Sequence, residues 1–210
     1  HRAIAQLPAQ DHLPVPLRRV HSGMNGVVGD KLQEWRHPLA LSMELVDEQG
    51  RVQSLLELQA RHRRGVLLFV HGLCLSEQDW QTASHQRFVA QVQQQDIGVA
   101  WLRYNSGLPI WVNGIALSQL LAEHWQPAED QSLMLAGHSM GGLIIRSALH
   151  HGEHVHASDW IHSVTHAAYL ASPHAGAPLE KIGNFANSLL GVSPYSRPLM
   201  ALGNIRSRGI

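Results

Sequence analysis

Ser139 is the residue in this sequence whose surroundings are best suited to chemistry. It lies in the stretch Gly137, His138, Ser139, Met140 and Gly141, which has the pattern G-x-S-x-G. A serine that acts as a nucleophile in this motif needs a sharp turn between a strand and a helix, because the turn lifts the hydroxyl above the edge of the sheet. The serine is then strained, and the glycines let backbones approach closely. The pattern predicts a nucleophile that attacks an acyl carbon and forms an acyl-enzyme.

The flanking residues favour this interpretation. The apolar run 133–136 precedes the motif as a predicted strand, and residues 142–145 follow it as the start of a predicted helix. The motif requires this strand–turn–helix context. The alternative, a glycine-rich turn with an incidental serine, does not account for it.

A second group of residues completes the predicted site. His71, Gly72 and Leu73 follow an earlier buried strand, where such an arrangement places a backbone donor for the oxyanion. We expect the N–H groups of Leu73 and Met140 to face the oxyanion of a tetrahedral intermediate, where one donor contributes about 3 kcal/mol. His71 is interpreted as a packing or turn-capping residue rather than a proton carrier.

Alternating strands and helices are predicted to position these residues. Strands are expected at 66–70, 99–104, 132–136 and 164–171, and helices at 82–95, 113–125, 142–149 and 178–190. This order predicts an α/β fold with a mainly parallel sheet and helices on both faces. Residues 39–60 are ambiguous between a β-hairpin turning at 48–50 and a helix through 55–58. Before them, only a short helix preceding Pro8 and an irregular segment through 37–38 are predicted.

Composition narrows the possible partners. The 210 residues are 44% hydrophobic and 15% charged, which suits one globular domain. Lys plus Arg equals Asp plus Glu at 16 each, so no net field points to nucleic acid or anionic lipid. The apolar runs are too short for a stable membrane span. The single cysteine, Cys74, excludes an intrachain disulfide, and we expect a cytoplasmic location.

Four blocks resemble one group of enzymes. Residues 70–73, 137–142 and 170–178 are similar to signature blocks of bacterial lipases and esterases, and most of all to those of GPI inositol-deacylase-like (PGAP-type) α/β-hydrolases. The turn at 103–107, followed by Asn113 and Gly114, is also typical of that group. The resemblance covers about residues 65–180.

The resemblance implies an α/β-hydrolase fold that apparently lacks its last strands. It implies residues 1–64 as an N-terminal extension packing on the core, and residues 65–210 as the core with the start of a cap at 176–200. It also implies Ser139 as the nucleophile, Leu73 and Met140 as amide donors, and no metal or organic cofactor. The substrate would be a small-molecule or lipid carboxylic ester. An amidase, a thioesterase and a non-catalytic binding domain remain open.

The other two members of a catalytic triad are harder to place. The acid and then the histidine follow the serine along the chain in this arrangement, where the histidine acts as general base and the acid orients it. Asp159 and His174 keep that order, but Asp159 precedes the fourth strand and should lie at its amino end. We therefore expect the chain to be a segment of a longer hydrolase, with acid and histidine beyond residue 210. An inactive or rewired domain is the alternative.

Three further features have ordinary explanations. The histidine-rich run 150–156 is interpreted as a solvated surface at a helix end rather than a metal site. Cys74 is expected to be a small packing residue rather than a reactive thiol. Tyr104 and Trp111 are alternatives for an acyl pocket, although aromatic residues at strand ends usually belong to the core.

Overall fold

Five strands form one sheet in the computed structural model, which describes residues 14–154 and 158–175. The strands are β1 (Glu44–Val46), β2 (Gly65–Val70), β3 (Gly98–Arg103), β4 (Ser132–His138) and β5 (Val164–Leu170). The helices are α1 (Val15–Glu34), α2 (Leu55–Arg61), α3 (Ala83–Gln94), α4 (Ile110–His124) and α5 (Met140–His154). Short 3₁₀ turns occur at Glu77–Trp80 and Asp159–Ser163.

The sheet is mostly parallel, with the strand order β1-β3-β2-β4-β5. Strands β2 to β5 pair in parallel, whereas β1 pairs antiparallel with β3. All four predicted strands are therefore confirmed. Because parallel strands end at a common edge, the residues that follow β2, β3, β4 and β5 gather at one carboxyl edge.

Alternating side chains of the central strand face two separate layers of helices. Val66 and Leu68 pack in one cluster with residues of α2, α4 and α5. Leu67 and Phe69 pack in another cluster with Val89 of α3. Strands with both faces covered are expected to be apolar throughout, and β2 is buried at each of its positions. The predicted α/β class with helices on both faces is confirmed.

The ambiguous stretch 39–60 contains both of the alternatives. Strand β1 turns at Asp47–Gly50, where Gly50 has φ 80°, and Val46 bridges to Val52. Ser54 then caps α2 by accepting a hydrogen bond from the Glu57 N–H at 3.3 Å. The segment predicted as an N-terminal extension therefore contributes an edge strand to the sheet.

Helix α1 is absent from the sequence predictions. Its buried face is polar and glycine-rich rather than apolar, and consists of His21, Ser22, Gly23, Asn25, Gly26, Val27, Gly29 and Leu32. A search for apolar residues at helical spacing does not detect such a face. The helix predicted before Pro8, the helix at 178–190 and the cap at 176–200 lie outside the described residues. Among the helices that are described, none has the length and apolar character needed to cross a bilayer.

Candidate active site

The turn that carries Ser139 joins the end of β4 directly to the start of α5. The backbone of Ser139 has a φ angle of 53°, in the left-handed region that residues with a side chain rarely adopt. The Ser139 N–H donates to the Leu170 carbonyl at 2.8 Å, which ties the turn to the end of β5. A Cβ on Gly137 would lie 2.5 Å from the Gly142 nitrogen. The chain folds back on itself so tightly here that the position requires glycine.

Gly141 brings the first turn of α5 against the end of β2. A Cβ at this position would collide with the Val70 carbonyl oxygen and lie 2.6 Å from the His71 carbonyl oxygen. Both obstacles are backbone atoms, so no rotation of a side chain can relieve the clash. The glycine thereby sets the distance between Ser139 and the loop after β2.

Gly141→Ala should destabilise the protein by about 2 kcal/mol, because overpacking forces the backbone to shift. Urea unfolding with a linear extrapolation measures the change in the free energy of unfolding. The control is His150→Ala on the exposed face of the same helix, which we expect to change stability by less than about 0.5 kcal/mol. Equal stability of Gly141→Ala and the wild type would contradict the tight contact.

The loop after β2 passes directly beside Ser139. A Cβ on Gly72 would lie 3.1 Å from the Ser139 Cβ. Leu73 and Met140 are buried, and Met140 opens α5, where N–H groups lack intrahelical acceptors. Across residues 14–154 and 158–175, no backbone carbonyl accepts a hydrogen bond from either N–H group. Within that part of the chain, the N–H groups of both predicted oxyanion donors are therefore unused by backbone carbonyls.

The exposure of Ser139 differs from the sequence expectation. The motif predicts a hydroxyl lifted above the sheet edge, whereas the residue is only 3% exposed. Its hydroxyl oxygen is not among the fully buried polar atoms that lack a partner in the described residues. The residue as a whole is therefore nearly covered rather than raised into solvent.

His71 and His138, the histidines of the two predicted motifs, are poor general bases. His71 is 2% exposed, its Nδ1–H donates to the Gly72 carbonyl at 2.8 Å, and its ring stacks on Tyr104 at 4.3 Å. Burial lowers the pKa of His71 and also that of His138, whose ring lies edge-on to Trp80. These contacts fit the packing role expected for His71.

The Asp159–His174 alternative is not assembled. Asp159 begins the 3₁₀ turn that precedes β5, and the seven residues of β5 span about 20 Å. Because β5 runs parallel to β4, Asp159 lies at the edge opposite to Ser139. His174 instead accepts a hydrogen bond through Nδ1 from the Arg146 guanidinium at 3.0 Å and packs against Tyr169. In the described ranges, neither a histidine nor a carboxylate is hydrogen-bonded to the Ser139 hydroxyl.

The histidine-rich run lies at the end of α5. The rings of His150 and His154 stack at 4.8 Å, and the His154 Nδ1–H donates to the His150 carbonyl at 3.2 Å. The described residues hold no group of three or more histidine, cysteine or acidic side chains with the geometry of a metal site. His156 lies outside those residues.

The sequence predictions missed how the turn after β3 meets the loop after β2. The Tyr104 hydroxyl donates to the His71 carbonyl at 2.6 Å, and the Cys74 N–H donates to the Ser106 hydroxyl at 3.1 Å. Tyr104 is 1% exposed and belongs to the core, whereas Trp111 is 60% exposed in the first turn of α4. The signal in the sequence that could have indicated this contact is the group of polar residues directly after the buried strand β3.

Comparison with known proteins gives one family and one solved structure. The family described as PGAP1-like alpha/beta domain matches residues 114–194, a range that includes β4, Ser139 and β5. The mature lipase BlEst2 of Bacillus licheniformis aligns over 80% of this chain and 67% of its own, with 19% sequence identity and a TM-score of 0.49. No curated protein matches the sequence.

Proposed function

We propose that the chain is a serine hydrolase of the α/β-hydrolase type that cleaves a carboxylic ester through an acyl-enzyme on Ser139. The ester is a small molecule or a lipid. The observation that carries this proposal is the backbone of Ser139, held at φ 53° between the end of β4 and the start of α5. A serine persists in such a strained conformation only where the surroundings impose it, and such strain clusters at functional sites.

Two unused donors support an acyl-transfer role. Leu73 follows Gly72, which closely approaches Ser139, and Met140 follows Ser139 directly at the start of α5. Preorganised backbone donors of this kind stabilise the negative charge that develops on the carbonyl oxygen in the transition state. The start of α5 adds the positive end of its helix dipole. Such a site handles esters without a metal ion or an organic cofactor.

A non-catalytic binding domain is the second candidate. Two observations favour it: Ser139 is 3% exposed, and no acid–histidine pair reaches it in the residues that the structure describes. Such a domain would keep the turn for its contribution to packing. The two candidates differ in whether the hydroxyl reacts.

Labelling of the full-length protein with a fluorophosphonate probe distinguishes them. The probe phosphonylates an activated serine hydroxyl and releases fluoride, so the enzyme should gain one adduct that peptide mass spectrometry locates on Ser139. The adduct should be missing in Ser139→Ala. Ser118→Ala is the matched control, since Ser118 is also fully buried and its hydroxyl has no partner among the described residues.

Each outcome decides between the candidates. An adduct on Ser139 that heat denaturation prevents supports the hydrolase. An intact, folded protein without any adduct would favour the binding domain. An adduct that persists in Ser139→Ala would remove Ser139 from the mechanism, whatever the fold.

A further inference from the structure

Two side-chain hydroxyls hold the loop that carries the Leu73 amide. The Tyr104 hydroxyl donates to the carbonyl oxygen of His71, two residues before Leu73. The Ser106 hydroxyl accepts from the N–H of Cys74, one residue after it. Both hydroxyls belong to the turn that follows β3, so this turn is hydrogen-bonded to the loop on either side of Leu73.

The turn after β3 is itself held by hydrogen bonds to two helices, α4 and α1. The Asn113 side chain of α4 donates to the Asn105 carbonyl at 3.0 Å. The Asn105 side chain donates to the Gly29 carbonyl of α1 at 2.9 Å and accepts from the Gly107 N–H at 3.1 Å. Asn105, Ser106 and Asn113 are each at most 2% exposed. Because the turn is fixed in this way, its hydrogen bonds can fix the position of the loop that it contacts.

The loop is also strained at the point of contact. Cys74 has φ 58°, a left-handed conformation that costs a residue with a Cβ about 1–2 kcal/mol. A Cβ on Gly26 of α1 would collide with the Cys74 sulfur, so α1 packs closely against the same residue. Strained residues persist only when the surrounding structure over-determines them. The hydrogen bond from Cys74 to Ser106 is one of the contacts that does so.

We propose that Tyr104 and Ser106 are positioning residues, whose hydroxyls fix the loop at residues 71–74 so that the Leu73 N–H is aimed at the oxyanion beside Ser139. The inference rests on the proposed hydrolase function for its effect on rate, but the effect on the loop is independent of activity. Neither residue touches the reacting atoms; each acts through the backbone of the loop. A donor displaced by about 1 Å can cost about two orders of magnitude in rate.

The tests are Tyr104→Phe and Ser106→Ala in the full-length protein. With a p-nitrophenyl ester, each variant should lower kcat about 10-fold and leave KM within about two-fold, because the lost interaction acts in the transition state. Ser118→Ala again serves as the control, because it removes an equally buried hydroxyl that has no partner among the described residues.

The second readout uses Cys74, the single cysteine of the chain. Burial raises the pKa of its thiol to about 12, so it should react very slowly with a chromogenic aromatic disulfide. Loosening the loop in Ser106→Ala or Tyr104→Phe should accelerate that reaction at least about 10-fold under native conditions, whereas Ser118→Ala should not. Circular dichroism verifies that each variant is folded, and an unfolded one is replaced by Ser106→Gly, which also removes the hydroxyl and adds no second thiol.

The two readouts separate two kinds of failure. If the wild-type protein is neither labelled nor active, the hydrolase function fails and the thiol rates alone decide the positioning inference. If the wild type is active but both variants keep wild-type kcat, or if their thiol rates equal that of the wild type, the inference is overturned. A rise in KM with unchanged kcat also overturns it, because that pattern indicates lost substrate binding.

Discussion

Ser139→Gly should abolish hydrolysis and yet give a protein more stable than Ser139→Ala. Both variants lack the hydroxyl, so kcat should fall at least about 1000-fold in each. Only glycine relieves the strain at φ 53°. Relief of about 1–2 kcal/mol is partly offset by the greater freedom of glycine in the unfolded chain, which leaves a net gain of about 0.5–1 kcal/mol over alanine.

Thermal unfolding and ester hydrolysis measured on the same preparations test this prediction. The difference corresponds to about 1–4 °C in Tm for a chain of this size. Arg36→Gly is the matched control, because Arg36 is exposed after α1 and has φ 48°. It should gain stability by the same mechanism and keep full activity. If Ser139→Gly is no more stable than Ser139→Ala, the turn stores no strain, and its conformation ceases to be an argument for function.

The fold was predictable from residue 65 onward because burial on two faces imposes a simple pattern. Strands β2 and β3 are buried at each of their positions, and their sequences are apolar runs up to Arg103 at the end of β3. The turn at Ser139 was predictable for a related reason, since close backbone approach leaves glycine as the only suitable residue at Gly137 and Gly141. In both cases a physical constraint leaves a direct trace in residue type.

Helix α1 and the contacts around Leu73 leave no such trace. The inner face of α1 relies on glycines such as Gly26 and Gly29, which allow close approach and contribute no apolar periodicity. The hydrogen bonds of Tyr104 and Ser106 join residues 33 and 32 positions apart in sequence. The burial of Ser139 depends on what lies above the sheet edge, and the motif specifies only the turn beneath it.

The buried ion pair of Arg103 and Glu77 could not be predicted from the sequence either, although it stabilises the carboxyl edge of the sheet. Arg103 ends β3, and its guanidinium donates to Glu77 at 2.8 Å and to the Gly50 carbonyl at 2.7 Å. The side chains of both partners are 2% exposed, and Glu44 lies 3.7 Å from the guanidinium. Glu77 lies in the 3₁₀ turn just beyond the loop at residues 71–76. The pair therefore fastens the far end of that loop to the sheet.

Arg103→Met should destabilise the protein by about 3–5 kcal/mol at pH 7, because it leaves the Glu77 carboxylate buried without its charge partner. Urea unfolding gives the change. Arg61→Met is the control: Arg61 pairs with Glu57 in an exposed bridge whose side chains are 69% and 67% exposed. Its loss should cost less than about 0.5 kcal/mol. A cost for Arg103→Met that is equally small would mean that the pair contributes nothing net to the fold.

The pH dependence of that cost identifies its origin. Burial alone would raise the pKa of Glu77, but the hydrogen bond and charge of Arg103 outweigh burial and hold the pKa below its ordinary value of 4.5. A carboxyl with a lowered pKa stabilises the folded state above pH 4.5, and this contribution disappears as the pH falls through the folded-state pKa. Without Arg103, burial raises the pKa, so Glu77 is protonated more easily and its penalty falls on acidification. The stability gap between wild type and Arg103→Met should therefore narrow from pH 7 to pH 3, whereas a gap independent of pH would assign the loss to packing of the arginine stem rather than to the charge pair.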